Sequence, residues 1–444
     1  MTDNTGTTRS PGTPARPEPG FIDDGAIGWR FKGLPPEAAH GTLAELGSSG
    51  RRVFDGEFGF PLLVLRDSAL RHNAELMALF AAERGMSLAP HLKTSASPQV
   101  ADYALRAGAW GVTVANPFQA RVFMAAGHDR ILLANQLVDR AFAVEAAHWL
   151  GEEPERRFFC YVDSPAGVAV LADALTSQDT TTPLPVLVEV GHEGGRGGCR
   201  DTAALAATVD AVRATPALAL AGVSGYEGSV SHSRGGEGLR AVRDYLGWLR
   251  AAMDIVLAHR DPRLPEYVVS AGGSLYFDLV GEEIATGWPA DPPVRVIARP
   301  GAYLTHDQGL YHALSPLDGS GSDPAEVARL APAIEVWAPV LTRPTPDQVI
   351  LGAGRRELNY DEGLPLPIEA RDHRGGSPRP TPGWQVTALN DQHAFLTVPP
   401  DADLGPSDLV RLGISHPCTA HDRWLTAVIA ADDDTVVSVA RCYF

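Results

Sequence analysis

Lysine is nearly missing from this chain: Lys32 and Lys93 stand alone against 35 arginines. Arginine can fill almost any surface role of lysine, but it cannot lose its proton near neutral pH and attack a carbonyl. The two survivors are therefore informative. Cysteine is scarce too. Cys160, Cys199, Cys418 and Cys442 are scattered through 444 residues, which excludes a disulfide scaffold and reads as free thiols in a reducing cytoplasm. Positive charge is in deficit, with a net charge of −17 and a pI near 5.2. That balance argues against nucleic acid and anionic membrane surfaces as partners. No apolar run approaches a membrane span, and the start lacks the apolar segment of a signal peptide. Residues 1–20, rich in Thr, Pro and Gly, read as a disordered tail.

What is present is enough apolar content, 44%, to bury one large core and a second. From Phe60 to Pro300, short apolar runs alternate with longer amphipathic segments. The runs fall at 86–90, 111–115, 131–134, 158–162, 186–190, 219–223, 267–270 and 294–298. Ser97-Pro98, Asn116-Pro117 and Ser164-Pro165 each set a capping residue before a proline at a first helical position. Alternating strands and helices imply parallel strands with crossover helices, and eight of them suit an α/β fold of the closed (β/α)8 type. The earlier run Pro61–Leu65 belongs elsewhere. After Gly301 strand-like runs and Pro/Gly turns take over, which predicts a mainly antiparallel β-domain with a loop at Arg371–Gly383. The expected organisation is a tail over 1–20, a segment over 21–65 partly joining the β-domain, a barrel over 66–305 and the β-domain over 306–444.

Chemistry in such a barrel sits at the carboxyl ends of its strands. Lys93, in Pro90-His91-Leu92-Lys93-Thr94, occupies that position on the first strand, where a Schiff-base lysine would stand; Lys32 reads as a surface residue. The turn Gly191–Gly198 holds one arginine, Arg196, among glycines, so backbone can approach a ligand beside a fixed cation. Gly225-Tyr226-Glu227-Gly228 offers an aromatic face and a carboxylate. Ser270-Ala271-Gly272-Gly273-Ser274 precedes a helix and offers amides to a phosphate, and Arg299-Pro300-Gly301-Ala302-Tyr303 could complete that site. Each glycine turn alone is an ordinary loop; four in order behind one lysine are harder to dismiss.

These motifs resemble the fold-type III enzymes that use pyridoxal 5′-phosphate (PLP), the alanine-racemase-like barrels, and within them the D-serine dehydratase and D-threonine aldolase branch. The resemblance runs from about Phe60 to the C-terminus. It implies that Lys93 carries the cofactor, with His91 buttressing it and Arg196 near its phenolic oxygen. It also implies that Gly272, Gly273, Ser274, Gly301, Ala302 and Tyr303 surround the phosphate, and that Tyr226 lies near the ring or the substrate. A small D-amino acid substrate and a homodimer, with the β-domain over the neighbouring barrel's mouth, follow from the same resemblance.

Ser415-His416-Pro417-Cys418 is a second distinctive element. Alone, one His and one Cys make a poor metal signature. A two-residue spacing on extended backbone would turn both toward one face. In the family resembled, a histidine and a second residue two positions on hold a divalent metal, the second being cysteine in the dehydratase type and aspartate in the aldolases. Thiolate and imidazole suit Zn2+. Asp391-Gln392-His393 is either a surface turn or a partner of that pair, and His421 and Asp422 read as loop residues. The implied activity is a PLP- and zinc-dependent lyase taking a D-β-hydroxy amino acid to a 2-oxo acid and ammonia. The alternatives are a D-threonine aldolase and a metal-free racemase, the last leaving His416 and Cys418 without a role.

Overall fold

Local punctuation sets the helices. Ser97, Asn116 and Ser164 each accept a hydrogen bond from the amide three residues on, with proline following each at the first helical position. Gly85 and Gly108 follow helix ends at φ of +68° and +102°, where a side chain would be strained. The computed structural model describes residues 27–28, 30–35, 41–178, 180–317 and 329–444, so the expected tail over 1–20 lies outside the described residues.

Strand β1 (Leu62–Arg66) comes first, followed by the helix Asp67–Glu83. Eight parallel strands then form one sheet: β2 (Ser87–Leu88), β3 (Val112–Val114), β4 (Arg130–Gln136), β5 (Arg157–Val162), β6 (Leu184–Val190), β7 (Leu218–Gly225), β8 (Tyr267–Ala271) and β9 (Val294–Ala298). The sheet runs from β3 in sequence to β9, which pairs with β2. Bonds from Trp110 N to Leu88 O and from Thr113 N to Pro90 O then join β2 to β3 and close the barrel. The first strand is shorter than its apolar run, because Pro90 has no amide to donate. Leu132, Phe159, Leu187, Ala221, Val268 and Ile297 form a buried cluster of their own. On β8, Val268 belongs to that cluster while its neighbours Tyr267 and Val269 belong to the main core, the alternation expected between the inside of a barrel and its helix-covered outside.

The chain then builds a mainly antiparallel domain from β10 (Ile334–Thr345), β11 (Gln348–Leu351), β12 (Leu366–Arg371), β13 (Arg379–Pro380), β14 (Gln385–Leu389), β15 (Ala394–Thr397), β16 (Leu409–Gly413), β17 (Thr426–Ala430) and β18 (Val436–Arg441). Its main strand order is β13-β12-β16-β10-β1-β17-β18, with β11, β14 and β15 extending from β10. Strand β1 therefore sits at the centre of this sheet, antiparallel to β10 and parallel to β17. Ile27, Phe31, Leu43, Val53, Phe54 and Phe58 pack against Trp337 and Val428 over the same sheet. The expected loop at Arg371–Gly383 holds the end of β12 and all of β13. Prolines 365 and 367 disguise β12 in sequence, and its ladder to β16 shifts register between Pro367 and Glu369.

Three arginines and three carboxylates close a ring across these strands. Arg66 contacts Glu335 (2.7 Å) and Asp434 (2.7 Å), Arg371 contacts Asp434 (2.7 Å) and Glu369, and Arg411 contacts Glu369 (2.9 Å) and Glu335 (3.2 Å). Among the described residues no helix is long and apolar enough to cross a membrane.

Candidate active site

A cavity of about 680 Å³ opens where the carboxyl ends of the barrel strands face the C-terminal domain. Lys93 lines it and is exposed to it. His91 lies beside Lys93 with Nδ1 buried and unpartnered. Burial first, then the cations Lys93 and Arg299, hold its imidazole well below the usual range, so it is neutral. Gly301 sits so close to His91 that a Cβ would lie 2.3 Å from the His91 carbonyl oxygen; the turns after β2 and β9 can meet only because the residue is glycine.

Arg196 stacks over the Tyr226 ring at 5.5 Å, and both line the cavity. Burial pushes the Tyr226 phenol up, so it stays protonated. Arg299 is buried, gives Nη2 to the Gly225 carbonyl and leaves Nε without a partner. Gly273, Ser274 and Ala302 form the far wall. Tyr303, expected at the phosphate, does not line the cavity; it is fully buried in the main core.

Glu227 changes the reading of the Gly272–Gly273 turn. Its carboxylate is fully buried and accepts hydrogen bonds from Gly272 N (3.0 Å) and Gly273 N (2.5 Å). The two amides that sequence reasoning offers to a phosphate are thus engaged by this chain's own acid. What the turn keeps for a ligand is the Ser274 hydroxyl, next to Ala302 N, and the open space above two residues lacking side chains.

The other wall comes from the C-terminal domain. His416 does stand on extended backbone, but Pro417 begins a short helix, Pro417–His421, and Cys418 lies in its first turn. The common face expected from strand geometry is therefore not how the pair meets; the helix start folds Cys418 back onto His416, and the two side chains hydrogen-bond. Asp361 Oδ2 lies 2.6 Å from His416 Nδ1, and Thr419 Oγ1 donates to Asp361 Oδ1 at 2.7 Å, so the imidazole is held from behind. Burial works against the charge on His416, but Cys418 and Asp361 outweigh it and raise the imidazole to about 9. Burial likewise opposes ionisation of Cys418, and His416, Thr94 and Lys93 together hold it below the usual thiol range. Thr94 Oγ1 lies 3.2 Å from Cys418 Sγ, which ties the lysine motif to this pair.

Several lining residues escape the sequence. Glu189, at the end of β6, is raised by burial and bonded by Gln136, which also bonds Asp163. Tyr311 lies 6.2 Å from His416 ring to ring, with Leu310 and Leu314 beside it on the wall. No local motif marks any of them; the fold alone collects them. Gln392 contacts Glu357 and, like His393, is absent from the cavity lining. His421 is fully buried with Nε2 unpartnered, and burial lowers it to about 4. It is a core residue, not a loop residue. Lys32 is exposed as expected, yet it pairs with Glu357 at 3.0 Å and covers the Trp424 ring. Among the described residues no group of three or more His, Cys, Asp or Glu is arranged to hold a metal.

A lysine amine at the end of the first barrel strand, glycine turns opposite it and an appended β-domain define the class of PLP-binding barrels. Residues 66–274 match the family described as "Alanine racemase, N-terminal domain", and residues 333–430 match the "Putative serine dehydratase domain". A D-threonine aldolase from Arthrobacter sp is 27% identical over 360 residues, covering 80% of this chain and 85% of the relative. A D-threo-3-hydroxyaspartate dehydratase from Delftia sp. (strain HT23) is 31% identical over 222 residues, covering 48% and 55%. The crystal structure of D-threonine aldolase from Filomicrobium marinum superposes with a TM-score of 0.71 at 23% identity, over 87% of this chain and 95% of that one. A cysteine-to-alanine variant of D-threo-3-hydroxyaspartate dehydratase, solved in the metal-free form, gives 0.67 at 24% identity over 87% and 98%. The chain belongs to the alanine-racemase-like family of fold-type III PLP enzymes and is a PLP-dependent lyase.

The cavity fits that cofactor. It offers an amine, the buried unpartnered nitrogens His91 Nδ1 and Arg299 Nε, and a cradle at Gly273 where a Cβ would lie 2.8 Å from the Tyr226 ring.

Proposed function

We propose that this chain is a D-serine dehydratase-like lyase, converting a D-β-hydroxy amino acid to a 2-oxo acid and ammonia with PLP at Lys93 and Zn2+ at His416 and Cys418. One observation carries the reading: the His416–Cys418 pair meets the lysine motif directly, through Thr94 Oγ1 at 3.2 Å from Cys418 Sγ. The donors suit zinc, since one is a lowered thiol and the other an imidazole whose rear nitrogen is already taken by Asp361. Two protein donors leave coordination positions open to substrate. The cysteine-to-alanine dehydratase variant in its metal-free form is a second support.

When bound, PLP withdraws electrons from the substrate's α-carbon, and zinc would neutralise a β-hydroxyl as it leaves. Lys93 would hold the cofactor and, once displaced by the substrate's amine, take the α-proton on Nζ. Neutral His91 packs beside it without competing for that proton. Arg196 and the protonated Tyr226 would flank the ring, and Ser274, Gly301 and Ala302 the phosphate. Asp361 would fix the imidazole so that its other nitrogen stays on the Cys418 side, where both donors could meet the metal. A dimer and a cytoplasmic location belong to the same proposal, supported by exposed Tyr360, Leu364 and Leu366 and by four unpaired cysteines.

The aldolase reading keeps these parts and breaks Cα–Cβ instead; the 85% coverage of the Arthrobacter D-threonine aldolase favours it. The holoenzyme with D-threonine separates the two: 2-oxobutyrate and ammonia for dehydration, glycine and acetaldehyde for cleavage. Lys93→Arg should lose the cofactor's absorbance and all turnover. A variant retaining both would remove Lys93 from the mechanism.

A further inference from the structure

We infer that this site takes a substrate whose β-substituent, beyond its hydroxyl, is uncharged and apolar, and that it disfavours a β-carboxylate. The inference rests on the proposed lyase reading, in which the substrate's β-carbon points toward His416 and Cys418. The wall next to that pair is the short helix Leu310–Leu314. Its N-terminal end is fixed on two sides. Gly309 N (2.7 Å) and Tyr311 N (3.1 Å) donate to the buried carboxylate of Asp307, and Leu310 N donates to Ser415 O (3.1 Å), one residue before His416. Leu310 and Leu314, four apart, share one helix face and line the cavity with Tyr311 between them. Leu310 and Leu314 are half-buried, and both contribute apolar surface to the cavity lining.

Charge agrees with shape. Glu362, adjacent to the Asp361 that holds His416, lines the cavity from the same side and is exposed. Every lysine and arginine on the lining (Lys93, Arg196 and Arg299) comes from the barrel side. A β-carboxylate would therefore meet two leucines and a like charge; the cation on that wall is His416, already engaged by Asp361 and Cys418, and the proposed zinc there would be taken by the β-hydroxyl. A methyl or longer alkyl group would instead bury apolar surface, worth roughly fourfold in affinity per added carbon.

The test uses the PLP- and zinc-loaded enzyme with D-serine, D-threonine, D-3-hydroxyleucine and D-threo-3-hydroxyaspartate. Binding is read by titrating the cofactor's absorbance and turnover by 2-oxo acid. Binding should tighten from D-serine to D-threonine to D-3-hydroxyleucine, with the hydroxyaspartate weakest. Leu314→Ala should erase most of the gain over D-serine. Glu362→Lys should shift the hydroxyaspartate-to-threonine ratio toward the acid by roughly three- to tenfold. Hydroxyaspartate binding at least as well as D-threonine, or a ratio unmoved by Glu362→Lys, overturns the inference. Binding decides this point whatever is turned over. Ligands that bind in the stated order without yielding 2-oxo acid would sink the dehydratase reading and leave this one standing.

Discussion

Cys418 differs from the other three thiols in its surroundings. Burial is the largest influence on Cys160, Cys199 and Cys442 and raises all three. Cys418 is held low by His416 and Thr94 despite its burial, and it lies on a cavity wall. Iodoacetamide near pH 7 should therefore label Cys418 alone in metal-stripped native protein, and zinc should protect it. Peptide mass mapping reads both; labelling spread over all four cysteines, or no protection, would count against the pair. His421 makes a different prediction. Its imidazole is lowered from 6.5 to about 4 by burial, so below pH 6.5 the unfolded chain takes a proton that the folded chain refuses. Stability should fall by on the order of 3 kcal/mol as pH drops from 6.5 to 4. Asp307, raised by burial to about 6, has the opposite sign, its contribution being lost as pH rises through 6. Chemical denaturation of His421→Leu against the parent at pH 7 and pH 5 isolates the first effect: the variant should gain relative stability at pH 5. In sequence, Lys93, Arg196, His416 and Cys418 could be picked out because each is a rare residue type or stands in a motif. Asp361 and Tyr311 could not, since an aspartate in a turn and a tyrosine in a five-residue helix carry no signal until the chain brings them to their partners; Glu227 stood out as a carboxylate, but its hold on the Gly272 and Gly273 amides did not.

At the level of elements, the barrel strands were readable because parallel strands covered on both faces are continuous apolar runs between capped helices. Strand β12 was not, because prolines stand where a ladder should donate. The helix Pro417–His421 was hidden too: five residues are too few for periodicity, and Pro417, inside a spacing considered as extended backbone, is the natural first residue of a helix. The arginine–carboxylate ring ties five of these elements together, from β1, β10, β12 and β16 to the turn before β18. Glu335 is central to it, meeting Arg66 and Arg411 and accepting from Trp337 Nε1 while almost fully buried. Glu335→Gln should cost about 3 kcal/mol, since it leaves buried cations short of a partner. A denaturant midpoint unchanged from the parent would show the ring to be energetically idle.

On the scale of the whole molecule, the second domain is not a contiguous tail. Its sheet takes β1 between β10 and β17, and its outer cover from the segment around Phe31 and Phe54. A fragment starting at residue 329 should therefore remain unfolded by circular dichroism. Adding a peptide spanning residues 41–66 should restore strand signal; a fragment folding cooperatively alone would contradict the topology. Composition and periodicity disclosed two units and the type of each, and placed the early run Pro61–Leu65 outside the barrel. They could not disclose that this run fills the middle of the other sheet, because pairing partners 270 residues apart leave no local trace.

That interleaving has a cost during synthesis. Strand β1, an almost entirely apolar Leu-Leu-Val-Leu-Arg, leaves the ribosome long before β10, its first neighbour, has been translated. At roughly 5–20 residues per second the wait lasts from about a quarter of a minute to nearly a minute. Throughout it, a sticky segment destined for the centre of a sheet has no sheet to enter, which makes it a natural hold for a nascent-chain chaperone.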